Sequence, residues 1–175
     1  AICGLDWIQE TLVRYHRDAI IKVRDLGFGR RDLYAVTGRF SALRSLDDLK
    51  SWPGAVRIIS EYPHLSEDLA FKLRLRNFRI LRAWGAADAY PPEHAEVAIL
   101  PAESIEELHA KDLIPVAKVL SGNAWLIANR SSMEQKNLSS VLSPFYTTDP
   151  TVAALEATII DEIESEDEFE APVFA

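Results

Sequence analysis

The stretch AVRIISEYPHLSEDLAFKLRLRNFRIL, residues 55–81, decides the reading of this chain. Ala55–Ser60 is a short apolar run rich in β-branched residues and reads as a strand. Ser66 offers an N-cap for a helix running through Leu73, and Phe78–Leu81 opens another strand. Strand, helix and strand within 27 residues predict an α/β domain.

The same alternation extends in both directions. Upstream, Asp6–Arg14 reads as an amphipathic helix, Ala19–Val23 as a strand, Asp25-Leu26-Gly27-Phe28-Gly29 as a glycine turn and Leu33–Thr37 as a strand. Leu46–Leu49 is a short helix stopped by Trp52-Pro53-Gly54. Downstream of Pro91-Pro92, Ala95–Leu100 is a strand and Ser104–Leu108 starts a helix. Leu113–Leu120 and Ala124–Ala128 are strands parted by a turn at Ser121-Gly122-Asn123, and Ser131 starts a further helix. Asp149-Pro150 is suited to cap and open a last one.

Composition narrows the function classes. At 175 residues and 48% apolar content the chain can bury a core. The net charge of −8 is concentrated in residues 161–170, DEIESEDEFE, whose seven carboxylates and no base leave the remainder near −1. That balance disfavours nucleic acid as a partner, and the acidic run reads as a solvated helix end or tail. No stretch has the length of apolar sequence that a membrane helix needs. A single cysteine, Cys3, and the absence of a signal-like start fit a reducing, cytoplasmic setting; the first residue is Ala, so a processed end, a boundary or a truncation all stay open. His16, His64, His94 and His109 lack zinc-like spacing, so no metal site is expected, and no Walker or Gly-x-Gly-x-x-Gly loop occurs.

Four segments in order carry a family resemblance: Ile2-Cys3-Gly4-Leu5-Asp6-Trp7-Ile8, Val23-Arg24-Asp25-Leu26-Gly27-Phe28-Gly29-Arg30, Val56-Arg57-Ile58-Ile59-Ser60-Glu61-Tyr62-Pro63, and Ala124-Trp125-Leu126-Ile127-Ala128-Asn129-Arg130-Ser131-Ser132. Together they resemble the catalytic region of the ATP phosphoribosyltransferases, the first enzymes of histidine biosynthesis, without the part that begins about sixty residues earlier in that family. The resemblance implies a fold like type II periplasmic binding proteins, two α/β lobes joined by two crossover strands near Leu33–Thr37 and Ala124–Ala128. Residues 1–36 and 124–175 would form an incomplete first lobe, and 37–123 an inserted second lobe. Unpaired sheet edges in the first lobe imply a homo-oligomer or pairing with a fuller family member.

By the same resemblance Asp6 and Glu61 would face the interlobe cleft near ATP or AMP. Capping of the first helix by Asp6 and of the Pro63 turn by Glu61 are equally open readings. Asp88 stands where the family has a glutamate. The family's phosphate loop, an Asp followed by Thr-Gly-Thr-Thr, falls in gapless register on Leu100 and on Ser104-Ile105-Glu106-Glu107. Every replacement opposes phosphate: Ile105 crowds the backbone, Glu106 and Glu107 bring like charge, and Ser104-x-x-Glu107 forms a capping box that satisfies the helix internally. The expectation is a family member with a degenerate phosphoribosyl pyrophosphate site and little activity alone. The alternative is a non-catalytic nucleotide- or small-molecule-binding regulatory module paired with another chain. No cofactor is certain; magnesium would be needed if the enzyme is active.

Overall fold

In the computed structural model, which describes residues 1–15 and 17–145, strand β3 (Arg31–Gly38) is buried from Asp32 to Gly38 and organises the larger sheet. Its Leu33, Tyr34, Ala35 and Val36 are all apolar, as a strand covered on both faces requires. Antiparallel neighbours flank it: β6 (Val97–Ala102) on one side and β7 (Leu113–Gly122) on the other. Beyond β6 come β4 (Val56–Ser60) and β5 (Phe78–Arg82), paired in parallel, giving the order β5-β4-β6-β3-β7.

Because side chains alternate along a strand, this sheet divides the core in two. Leu33, Ala35, Ile58, Val97 and Ile99 face α2 (Leu46–Lys50) and α3 (Pro63–Lys72) through Leu49, Leu65 and Leu69. Tyr34, Val36, Ile59, Ala98 and Leu100 face the other way, where Leu108 of α4 (Ile105–Ala110) covers them.

The second sheet is small and antiparallel. β8 (Ala124–Asn129) lies between β1 (Ile2–Gly4) and β2 (Ile20–Asp25), and Leu126 is its one buried residue. Helix α1 (Leu5–Arg14) leads away from β1 and packs on α3. The chain therefore passes between sheets twice, through residues 26–30 and at Asn123, and Leu33–Thr37 lies wholly inside the larger sheet. Short helices α5 (Arg130–Gln135) and α6 (Ser139–Leu142) follow β8.

Three local expectations are corrected. Ser66 does not cap α3: Pro63 occupies the first turn, so the helix starts three residues earlier, and the Ser66 hydroxyl donates to the Tyr62 carbonyl from inside it. Helix α5 opens at Arg130 because Asn129, not Ser131, supplies the cap, its Oδ1 accepting from Ser132 N at 3.0 Å. Residues 121 and 122 belong to β7, since Gly122 still pairs with Arg31, so the turn shrinks to Asn123. Asp149-Pro150, the acidic run 161–170 and His16 lie outside the described residues.

Candidate functional site

The site forms where α1 meets the junction of β4 and α3. Ser60 anchors the junction: its hydroxyl donates to the Ile99 carbonyl at 2.9 Å and accepts from Tyr62 N at 2.9 Å. Held this way, Tyr62 donates its phenol to Asp6 Oδ2 at 2.6 Å, and Trp7 packs on its ring with centroids 4.9 Å apart. Burial, followed by the hydrogen bond to Asp6, pushes the Tyr62 phenol far above the ordinary tyrosine range, so it stays protonated as a donor. Asp6 is thus engaged across the interface, while Gly4 is the N-cap of α1 and offers no side chain. The glycine has a steric reason, because a Cβ on Gly4 would collide with Asp6 Oδ1.

Glu61 reaches the next strand's exit. Its Oε1 accepts from Gly85 N at 2.6 Å, and Gly85 holds a left-handed φ of +79° that a side chain would strain. Neither expected cap forms: Asp6 does not cap α1, and Tyr62, not Glu61, stands at the N-cap of α3.

The residue that does cap α3 is Glu10, which the sequence reading missed. Only 5% exposed, its carboxylate accepts from His64 N at 2.9 Å and Leu65 N at 2.8 Å. The His64 Nδ1 lies 2.8 Å from the same carboxylate. A negative charge on the free amides of a helix start is the arrangement an anionic ligand would otherwise find there. In sequence, Glu10 is simply a charged residue in an amphipathic helix.

Two adjoining cavities open here. One, of about 360 Å³, is lined by Arg14, Pro63, His64, Glu67, Ile80 and Arg82. The other, of about 170 Å³, shares Pro63, His64 and Arg82 and adds Trp7, Tyr15, Glu61 and Trp84, the last 77% exposed.

The expected phosphate loop is linked to this region through Arg31. A Cβ on Gly122 would stand 3.1 Å from the Arg31 carbonyl and 3.9 Å from Asp6 N, while the Arg31 guanidinium pairs with Glu103 at 3.6 Å. Leu100 is 7% exposed within the core and opposite Tyr34 in β3. Ser104 caps α4, its hydroxyl accepting from Glu107 N at 3.3 Å, and Glu107 Oε2 accepts from Glu103 N at 2.9 Å. This differs from the expected capping box by one residue, because the carboxylate reaches Glu103 N rather than Ser104 N. Glu106 is held below the usual carboxylate range by its own amide and the Ser104 hydroxyl, Glu107 by the Glu103 amide and then Lys111. Both are therefore ionised at neutral pH. Lys111 sits 3.4 Å from Glu107 and 3.4 Å from Asp88, which ties Asp88 to α4. Ile105 is 42% exposed.

Cys3 is half-buried, and burial pushes its thiol up, which keeps it protonated. No helix among the described residues is long and apolar enough to cross a membrane.

Comparison with known proteins fits this geometry. A curated ATP phosphoribosyltransferase of Solibacter usitatus is 27% identical over 138 residues, covering 76% of this chain and 44% of the relative. One from Prosthecochloris aestuarii is 28% identical over 138 residues, covering 75% and 43%. The chain thus spans less than half the length of these relatives. Among solved structures, the ATP phosphoribosyl transferase (HisG:HisZ) complex from Thermotoga maritima superposes with a TM-score of 0.66 at 14% identity, covering 83% of this chain and 65% of that one. A periplasmic transporter follows at a TM-score of 0.53 and 14% identity, covering 88% and 65%. The fold is therefore that of type II periplasmic binding proteins. The family model for ATP phosphoribosyltransferase matches residues 1–147, and the chain belongs to that family.

Proposed function

We propose that this chain is an ATP phosphoribosyltransferase-like protein of histidine biosynthesis whose phosphoribosyl pyrophosphate site is degenerate and which turns over little alone. One observation carries the reading: the start of α4 is satisfied from within, by Ser104 and Glu107, and presents ionised Glu106 and Glu107. Transfer of a phosphoribosyl group requires pyrophosphate to be held while a ring nitrogen of ATP attacks, and holding it requires free amides, hydroxyl donors and positive charge. Here the Ser104 hydroxyl takes the Glu107 amide, Glu106 and Glu107 stand where hydroxyl donors would be needed, and Arg31 is paired with Glu103. Magnesium, which an active enzyme would need, takes oxygen ligands and is commonly held by one or two carboxylates together with substrate phosphates.

The second reading, a nucleotide- or small-molecule-binding regulatory module, draws support from the paired cavities. Aromatic Trp7, Tyr15 and Trp84 stand beside Glu61, and Arg14 and Arg82 supply positive charge next to them, a combination suited to a base and a phosphate. Cytoplasmic location, and pairing with a second copy or a fuller family member to complete the first lobe, belong to this proposal, with lobes of 1–36 plus 124–175 and 37–123. Melting curves with AMP, ATP and phosphoribosyl pyrophosphate test it, since a ligand raises the melting temperature only where a site survives. Stabilisation by AMP or ATP but not by phosphoribosyl pyrophosphate is expected. Stabilisation by phosphoribosyl pyrophosphate would overturn the degenerate-site reading.

A further inference from the structure

Averaging charge over the whole chain hides a local run of the opposite sign. Residues 72–82, KLRLRNFRILR, carry Lys72, Arg74, Arg76, Arg79 and Arg82 and no carboxylate, in a chain of net charge −8. The structure places this run at one border of the larger sheet. β5 is a terminal strand that pairs with β4 alone, so among the described residues its outer backbone edge has no partner strand.

All four arginines are exposed. Among the described residues Lys72 pairs with Asp68, and none of the four takes part in an ion pair. Apolar surface accompanies the charge: Phe71 is 64% exposed and stacks edge-on against Phe78, and Ile80 is half-buried beside the larger cavity. Exposed cations on an edge strand keep it from pairing with copies of itself, and the same features suit it to an acidic segment.

We propose that the acidic segment 161–170 of the same chain docks intramolecularly on the arginine edge formed by β5 and the loop before it. The segment's seven carboxylates and the edge's four exposed arginines are the two most concentrated opposite charges in the sequence. Ile163 and Phe169 are the segment's apolar side chains, and Phe71, Phe78 and Ile80 are apolar surface to receive them. The tether is long enough. Fifteen residues separate Phe145, the last described residue, from Asp161, and they reach up to about 50 Å, while a domain of this size is roughly 40 Å across. The attraction is screened by salt.

Hydrogen exchange of the β5 amides tests this on three proteins: the full chain, a chain ending at residue 160, and a full-length variant with Glu164→Gln, Glu166→Gln, Asp167→Asn and Glu168→Gln. A tether of this kind gives an effective concentration on the order of 1 mM, so a segment binding at about 0.1 mM slows exchange roughly tenfold. That slowing is expected in the full chain at low salt. It should vanish in the other two proteins and at about 0.5 M salt, where the screening length is near 4 Å. The peptide DEIESEDEFE added to the shortened chain should restore it, and Arg76→Glu with Arg79→Glu should abolish the restoration. Equal exchange in all three proteins would overturn the proposal. So would slowing that grows with protein concentration, which would assign the edge to a second copy. Protection of the shortened chain by an oligonucleotide but not by the peptide would equally overturn it.

Discussion

Replacing Glu10 by Ala removes a buried anion that joins α1 to the start of α3. Its carboxylate accepts two backbone hydrogen bonds, from His64 N at 2.9 Å and Leu65 N at 2.8 Å, while only 5% exposed. Hydrogen bonds to a charged group contribute roughly 1.5–3 kcal/mol each, so the pair amounts to about 3–6 kcal/mol. Leu65 N lies in a buried setting and stays without a partner in the variant, whereas the partly buried His64 N regains some hydration. The net loss should fall near 3–4 kcal/mol, above the 0.5–2 kcal/mol typical of an exposed helix cap and a large share of a domain's total stability. Glu10→Gln keeps the shape and one acceptor and should lose about half as much. Urea unfolding followed by circular dichroism reads both. A Glu10→Ala chain within about 1 kcal/mol of the parent would refute the reasoning, because that is no more than an ordinary surface cap.

Other expectations follow from single contacts. Burial pushes the Glu96 carboxyl up, but the Arg57 hydrogen bonds and charge outweigh it and leave the group below its ordinary value. Its contribution to stability is therefore complete above the unfolded pKa of about 4.3 and is lost as pH falls through the lower folded value; Arg57→Ala should flatten that acid limb in urea midpoints taken against pH. Tyr62→Phe removes the donor to Asp6 and should cost about 1.5 kcal/mol in urea unfolding. In an ultraviolet titration Tyr62 should ionise only above the ordinary tyrosine range, and the variant should lack that late step. Ser104→Ala should destabilise the chain by about 1 kcal/mol, read as a lowered melting temperature, because the cap on Glu107 N is lost.

Periodicity and punctuation made much of the fold legible. The runs at 55–60 and 95–100 became the buried strands β4 and β6, and Ser104 caps α4 as its spacing with Glu107 suggests. Local signals failed where two of them competed: Ser66 resembles a cap, but Pro63 had already opened the helix, and Asn129 forestalled Ser131. Glu10 was beyond reach for a different reason. Its partners lie 54 and 55 residues away on another helix, and nothing within one turn of Glu10 distinguishes it from a solvated face. Asp6 and Glu61 were recognised as residues of interest, yet their partners Tyr62 and Gly85 emerge only once α1 packs beside α3 and β5 runs alongside β4. The basic run at 72–82 was visible as letters, but its meaning depends on β5 being an edge strand, which is a property of topology.

The central claim, that the start of α4 no longer holds pyrophosphate, is tested most directly by calorimetric titration of the chain with phosphoribosyl pyrophosphate. With Ser104 capping the Glu107 amide, Glu107 holding Glu103 N just before the helix, and two ionised carboxylates at its first turn, no binding heat is expected up to millimolar ligand, a free energy weaker than about −4 kcal/mol. No phosphoribosyl-ATP should form when ATP and magnesium are added. Micromolar binding, about −8 kcal/mol, accompanied by turnover would contradict the account.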